Sequence, residues 1–149
     1  MTKNDQTVID QHLRELLGDT FGLYAKTHAF HWNVTGPMFE TLHLLFERQY
    51  TELWEAADEI AERLRAVKSF APATLTDMLK TSAVKEQNNI PAALDMVREL
   101  ASDHRLVAGR IREAIPTLED AGDDLTADLF VARGREHEKT AWMLESLAA

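Results

Sequence analysis

The sequence predicts an all-α fold, a four-helix bundle whose second and third helices are joined by one long crossover holding a short helix. Three observations carry this. Apolar residues recur at helical spacing in four long segments, strand-type alternation is nearly absent, and only one of the three connections is long. Two helical hairpins joined by a crossover satisfy all three.

The first helix is expected over 7–32, with Ile9, Leu13, Leu16, Leu17, Leu23 and Tyr24 on one face. Gly36-Pro37 ends it, because proline cannot continue the hydrogen-bond ladder and glycine accepts the turn dihedrals. The second, over 38–67, carries Leu42, Leu45, Phe46, Leu53, Ala57, Ile60 and Leu64. The connection 68–89 follows, and TLTDMLKTS within it is the expected short helix. The third helix is placed over 90–115, capped by Asn88 or Asn89, with Pro91 in its first turn and a stop before Pro116. The fourth, 124–147, starts after Gly122-Asp123-Asp124 and presents Leu129, Val131, Trp142 and Leu147. With no repeat, low-complexity tract or linker, residues 1–149 read as a single domain.

Composition narrows the function classes. The chain has no cysteine, so disulfides and thiolate metal sites are excluded. No apolar run approaches the ~20 residues a bilayer span needs, and no signal-peptide pattern opens the chain, which makes cytoplasm the default compartment. A formal charge of −9 argues against nucleic acid and anionic lipid as partners and suits cations.

The stretch HAFHWNVTGP, residues 28–37, holds the first candidate site residue. His31 lies eighteen residues after Leu13, which returns it to the same azimuth on an α-helix. It therefore continues the buried stripe, either as a core histidine bonded to a carbonyl or as a ligand. His28 sits about 60° off that line and is expected on the surface. The second helix has two non-solvent stripes. One is the bundle core. The other carries His43, Glu47, Tyr50, Trp54, Asp58, Ala61 and Glu62, a mixture that reads as buried against another subunit. A third face, Arg48, Glu52, Glu55, Glu59 and Arg63, reads as solvated.

His43 with Glu47, and Asp58 with Glu62, are i,i+4 pairs, each able to share a metal; imidazole plus carboxylate without sulfur suits iron, manganese or zinc. Fifteen residues separate His43 from Asp58, roughly 22 Å along a straight helix. One chain cannot bring both pairs to one ion. Two copies of this helix, antiparallel across a two-fold axis, can, and His31 would complete each of two equivalent sites. The competing design, inside one bundle, needs Glu-x-x-His on two helices. Glu40-Thr-Leu-His43 supplies it once, and the fourth helix offers Glu136, His137 and Glu138 but no second copy. The shared site is preferred.

HWNVTGPMFETLHLLFE, DEIAERL, DDLTADLF and EKTAWMLES together resemble the Dps family, the mini-ferritins of the ferritin-like superfamily, over essentially the whole chain. The resemblance implies a hollow dodecamer built from two-fold dimers, with ferroxidase centres at the dimer interfaces. It implies that His31 and His43 come from one subunit and Asp58 and Glu62 from its neighbour, holding at most two irons, with other divalent metals able to enter. Glu47 stands where the family usually has Asp, at the second iron position. Trp32 matches the tryptophan beside the centre, which donates electrons or intercepts radicals in the family; packing at a helix end is the other reading. The implied activity is oxidation of Fe(II), with hydrogen peroxide preferred over dioxygen, and storage of ferric mineral, a protection against oxidative stress. Among the acids near the fourth helix, Asp123 and Asp128 are the expected lining of an iron-entry pore, although acids there are also ordinary first-turn residues.

Two other functions compete with the iron store. A non-catalytic DNA-compacting protein of the same fold would need clustered cations for phosphate. Here the N-terminus offers Lys3 beside Asp5 and Asp10, and the C-terminus ends SLAA, so no strong DNA binding is expected. The second is an interaction protein whose histidine and acid stripe is only structural.

Overall fold

Two long hairpins make up the bundle in the computed structural model, which describes residues 1–149. The first pairs α1 (Lys3–Asn33) with α2 (Phe39–Ala66), and the second pairs α4 (Ala93–Asp120) with α5 (Asp124–Ala148). The crossover carries α3 (Leu75–Leu79), inside the stretch expected to hold the short helix. Leu13, Leu42, Phe46, Ile60, Met96, Leu100, Ile111 and Phe130 are all but fully buried between the hairpins. Burial of each such side chain contributes about 1.5–3 kcal/mol.

Local chemistry sets the helix ends, and this is where expectation and structure part. α1 starts four residues early because Thr2 and Asp5 form a capping box, Thr2 Oγ1 accepting from Asp5 N at 3.1 Å and Asp5 Oδ2 accepting from Thr2 N at 2.8 Å. The turn into α2 depends on Gly36, whose φ of 105° an L side chain rarely adopts. α4 begins later than expected, at Ala93. Asn88 and Asn89 do not cap it, and Pro91 precedes the first turn, holding the chain extended. Pro116 does not end α4, which runs on to Asp120. Its ring is solvent-exposed, so the carbonyl deprived of a partner faces water, and buried Leu118 anchors the turn beyond it.

On α5, Val131 and Trp142 are exposed, while Phe130, Arg133 and His137 point inward. The solvated face of α2 is interrupted twice. Arg63 donates to Asp123 Oδ1 at 2.9 Å, and Glu52 accepts a bidentate pair from Arg133, so both reach across to α5. Lys26, almost buried on α1, bridges to Glu99 at 2.9 Å and Asp103 at 2.7 Å on α4. The crossover is pressed against α1 at Gly18, where an added Cβ would sit 2.6 Å from Thr81 Oγ1 and 2.7 Å from the Met78 carbonyl oxygen.

Candidate metal centre

His31 and His43 are brought together by the tight turn between α1 and α2, and each holds the other in place. His31 Nδ1 donates to the His43 carbonyl at 2.7 Å, and His43 Nδ1 donates to the His31 carbonyl at 2.7 Å. The rings stack 3.8 Å apart and nearly parallel. A carbonyl can only accept, so each Nδ1 carries a hydrogen; in the neutral ring the lone pair then sits on Nε2. The His31 carbonyl lies in the last turn of α1, where no further helical N–H reaches it, so His43 also satisfies an orphan acceptor. This is the outer bonding that orients metal-ligating imidazoles and fixes their tautomer. His31 is 8% exposed, so its interior position and its carbonyl bond agree with the core reading; the freed Nε2 leaves it equipped as a ligand too.

His28 is not the isolated surface residue expected. It stacks on Tyr50 at 3.8 Å, lies 4.2 Å from the Trp32 ring, and shares a 3.0 Å hydrogen bond with the Tyr24 hydroxyl. Partial burial, with His31 nearby, lowers its pKa. Tyr24 continues the array to Trp54 at 5.5 Å. Trp32 and Trp54 are 65% and 59% exposed, so two large rings flank the histidines with one side open.

The acid half lies further along α2. Asp58 and Glu62 are exposed and face each other closely enough that a hydrogen bond donated by protonated Glu62 to the Asp58 carboxylate, and then the Asp58 charge, raise the Glu62 pKa. Two carboxylates competing for one proton are suited to share a cation instead. An apolar groove of 410 Å³ adjoins Asp58, lined by Leu17, Phe21, Trp54, Ala61 and Met78. Glu47, one turn after His43, is exposed. Within the chain no group of three or more His, Asp or Glu side chains gathers around a common point. The histidine pair and the acid pair each form within the chain and do not meet in it.

The sequence model of the ferritin-like domain family matches residues 10–149. The DNA protection during starvation protein of Brevibacillus brevis is 39% identical over 124 residues, covering 83% of each chain. The crystal structure of a Dps protein from Bacillus brevis superposes with a TM-score of 0.96 at 34% identity, over 100% of both chains. The chain belongs to the Dps family. A further Dps structure, from Vibrio cholerae and described as a member of a broad superfamily of ferritin-like diiron-carboxylate proteins, superposes with a TM-score of 0.94 at 26% identity, over 100% of this chain and 94% of that one.

Within this Dps subunit the two expected pore residues have different surroundings. Asp123 is buried as the N-cap of α5, accepting from Thr126 N at 3.0 Å, from Thr126 Oγ1 at 2.5 Å and from Arg63. Its carboxylate is engaged within the subunit as a helix cap and as the partner of Arg63. Asp128, one turn into α5, is exposed. No helix is long and apolar enough to cross a membrane.

Sequence reasoning missed one polar cluster altogether. His104 and His137 are buried in the bundle interior with their Nδ1 atoms 2.9 Å apart. The signal was present: His104 falls four residues after Leu100 and three before Val107, on the apolar stripe of α4. The place where a site inside one bundle would lie is thus taken by two imidazoles and the Arg133 guanidinium, a poor host for a cation.

Proposed function

We propose that this Dps protein is a cytoplasmic ferroxidase and iron store, oxidising Fe(II) with hydrogen peroxide at centres shared between two subunits of a dodecamer. One observation carries the reading. His31 and His43 are locked with both Nε2 lone pairs free, while Asp58 and Glu62 form a second half-site that the same chain cannot bring to them. A two-fold partner would complete both halves, and the apolar groove beside Asp58 and the exposed Trp54 give such a partner a surface to cover.

Fe(II) is the substrate in this reading. The two imidazole nitrogens and the paired carboxylates are borderline and hard donors without sulfur, a set that suits iron and also admits manganese or zinc. Two Fe(II) ions side by side each give one electron to a single peroxide, whose O–O bond breaks with both electrons accounted for. That pairing limits release of hydroxyl radical. His31 and His43 hold the ions on the side of the first subunit, and Glu47 extends toward the second position. Trp32 lies close enough to the histidines, through His28, to supply an electron when only one iron is present. Binding needs unprotonated donors, so iron affinity falls on acidification.

Stopped-flow oxidation of Fe(II) by peroxide tests the assignment. The His31→Ala/Asp58→Ala double variant is expected to lose the fast phase while keeping the helical fold. An unchanged fast phase would sink the site, and leave the structural reading of the stripe in its place.

A further inference from the structure

His104 of α4 and His137 of α5 are both inaccessible to solvent, and their bonding permits only one distribution of protons. Arg133 is donor-only, so its Nη2, 3.4 Å from His137 Nε2, makes that nitrogen an acceptor. The His137 hydrogen therefore sits on Nδ1 and is donated across 2.9 Å to His104 Nδ1. His104 must then carry its own hydrogen on Nε2, which is buried and unpartnered. A further proton has nowhere to go without breaking this chain. On His104 Nδ1 it would face the His137 N–H head-on. On His137 Nε2 it would face the guanidinium.

The Arg133 cation beside the pair is itself ion-paired. Arg133 is held by Glu52 of α2, Nη2 donating to Oε1 at 2.9 Å and Nη1 to Oε2. Lys26 of α1 is paired with Glu99 and with Asp103, the neighbour of His104 in the sequence of α4. No carboxylate is bonded to either ring to favour its protonated form. We propose that His104, His137, Arg133 and Glu52 form an acid-operated latch joining α4 and α5 to α2, closed while both rings are neutral and opened by proton uptake.

Burial, with Arg133 nearby, lowers the His104 pKa to about 3, and burial with His104 and Arg133 nearby lowers that of His137 well below its ordinary value. An unfolded or locally opened chain takes up these protons near pH ~6.5. The closed form thus binds fewer protons than the open one below that pH. The latch's contribution is complete above pH ~6.5 and is lost as the pH falls toward the folded values. Each ring changes the opening equilibrium about tenfold per pH unit in that window, and the pair about a hundredfold. The latch is independent of the iron site and works in metal-free protein.

Hydrogen exchange on the assembled, metal-free protein at about pH 7, 6 and 5 tests this, with intrinsic exchange rates corrected for pH. The α4 segment around His104 and the α5 segment around His137 are expected to open about a hundredfold more per pH unit between pH 6 and 5. In the His104→Leu/His137→Leu variant that rise should flatten. An equally steep rise in the variant, or none in the wild type, overturns the latch. Should the variant not assemble, solid-state ¹⁵N spectra of histidine-labelled wild type decide the matter, assigned through the coupling of the two facing Nδ1 atoms. Both rings should remain neutral at about pH 5, with hydrogen on His137 Nδ1 and His104 Nε2. An imidazolium signal at that pH from a ring that keeps the coupling between the two facing Nδ1 atoms contradicts the proposal.

Discussion

The backbone carbonyls that clamp His31 and His43 belong to the residues themselves, so removing one side chain leaves the other ring's acceptor in place. His31→Ala and His43→Ala should therefore each delete one ligand without misplacing the second. Each is expected to lower the peroxide-dependent oxidation rate about 10–100-fold with an unchanged circular dichroism spectrum. The pore residues separate in the same way. Asp123→Ala removes an N-cap and leaves Arg63 without its partner, an expected loss of about 2 kcal/mol visible as a lower Tm. Asp128→Asn should change Tm little and slow iron uptake, since its carboxylate is exposed. Equal effects of both variants on uptake would mean that Asp123 serves the pore as well as the helix cap. At this scale the sequence revealed His31 through its azimuth, but could not place His28, whose surroundings depend on Tyr50 from another helix.

Helices, unlike single contacts, were legible almost throughout, because four long amphipathic stripes dictate four long helices whatever packs against them. The ends were less so. Thr2 and Asp5 extend α1 by a capping box lying ahead of its first apolar residue, and Pro116 survives inside α4 because its missing bond faces water. His104 and His137 sat on apolar stripes in full view, but a polar residue on such a stripe shows its meaning only when the facing helix is known. The crossover offers a test at this scale. In a free helix Gly18→Ala would gain up to about 1 kcal/mol of helix propensity. Here the new methyl would meet the Met78 carbonyl oxygen at 2.7 Å, so the clash wins, and a net loss of about 1–3 kcal/mol is expected in denaturant titrations. Increased stability would mean that the crossover yields easily and does not fix α1.

For the molecule as a whole, the fifteen residues between His43 and Asp58 are the decisive length, since a rigid helix cannot fold back on itself. Within the subunit His31 and His43 pair at one end of this span and Asp58 and Glu62 at the other, and no three such side chains converge. Under the proposed shared centre, assembly is a condition for chemistry, and a gel shift at neutral pH and physiological salt should show no strong DNA binding by this acidic surface. The central claim is that ligands from two chains meet at one ion, and mixed assemblies test it most directly. Subunits carrying His31→Ala/His43→Ala are co-assembled with subunits carrying Asp58→Ala/Glu62→Ala, each inactive alone. In a mixed two-fold dimer one site loses all four ligands and the other regains all four. Random mixing should therefore restore about a quarter of wild-type ferroxidase activity. No recovery in verified mixed assemblies would contradict the shared centre.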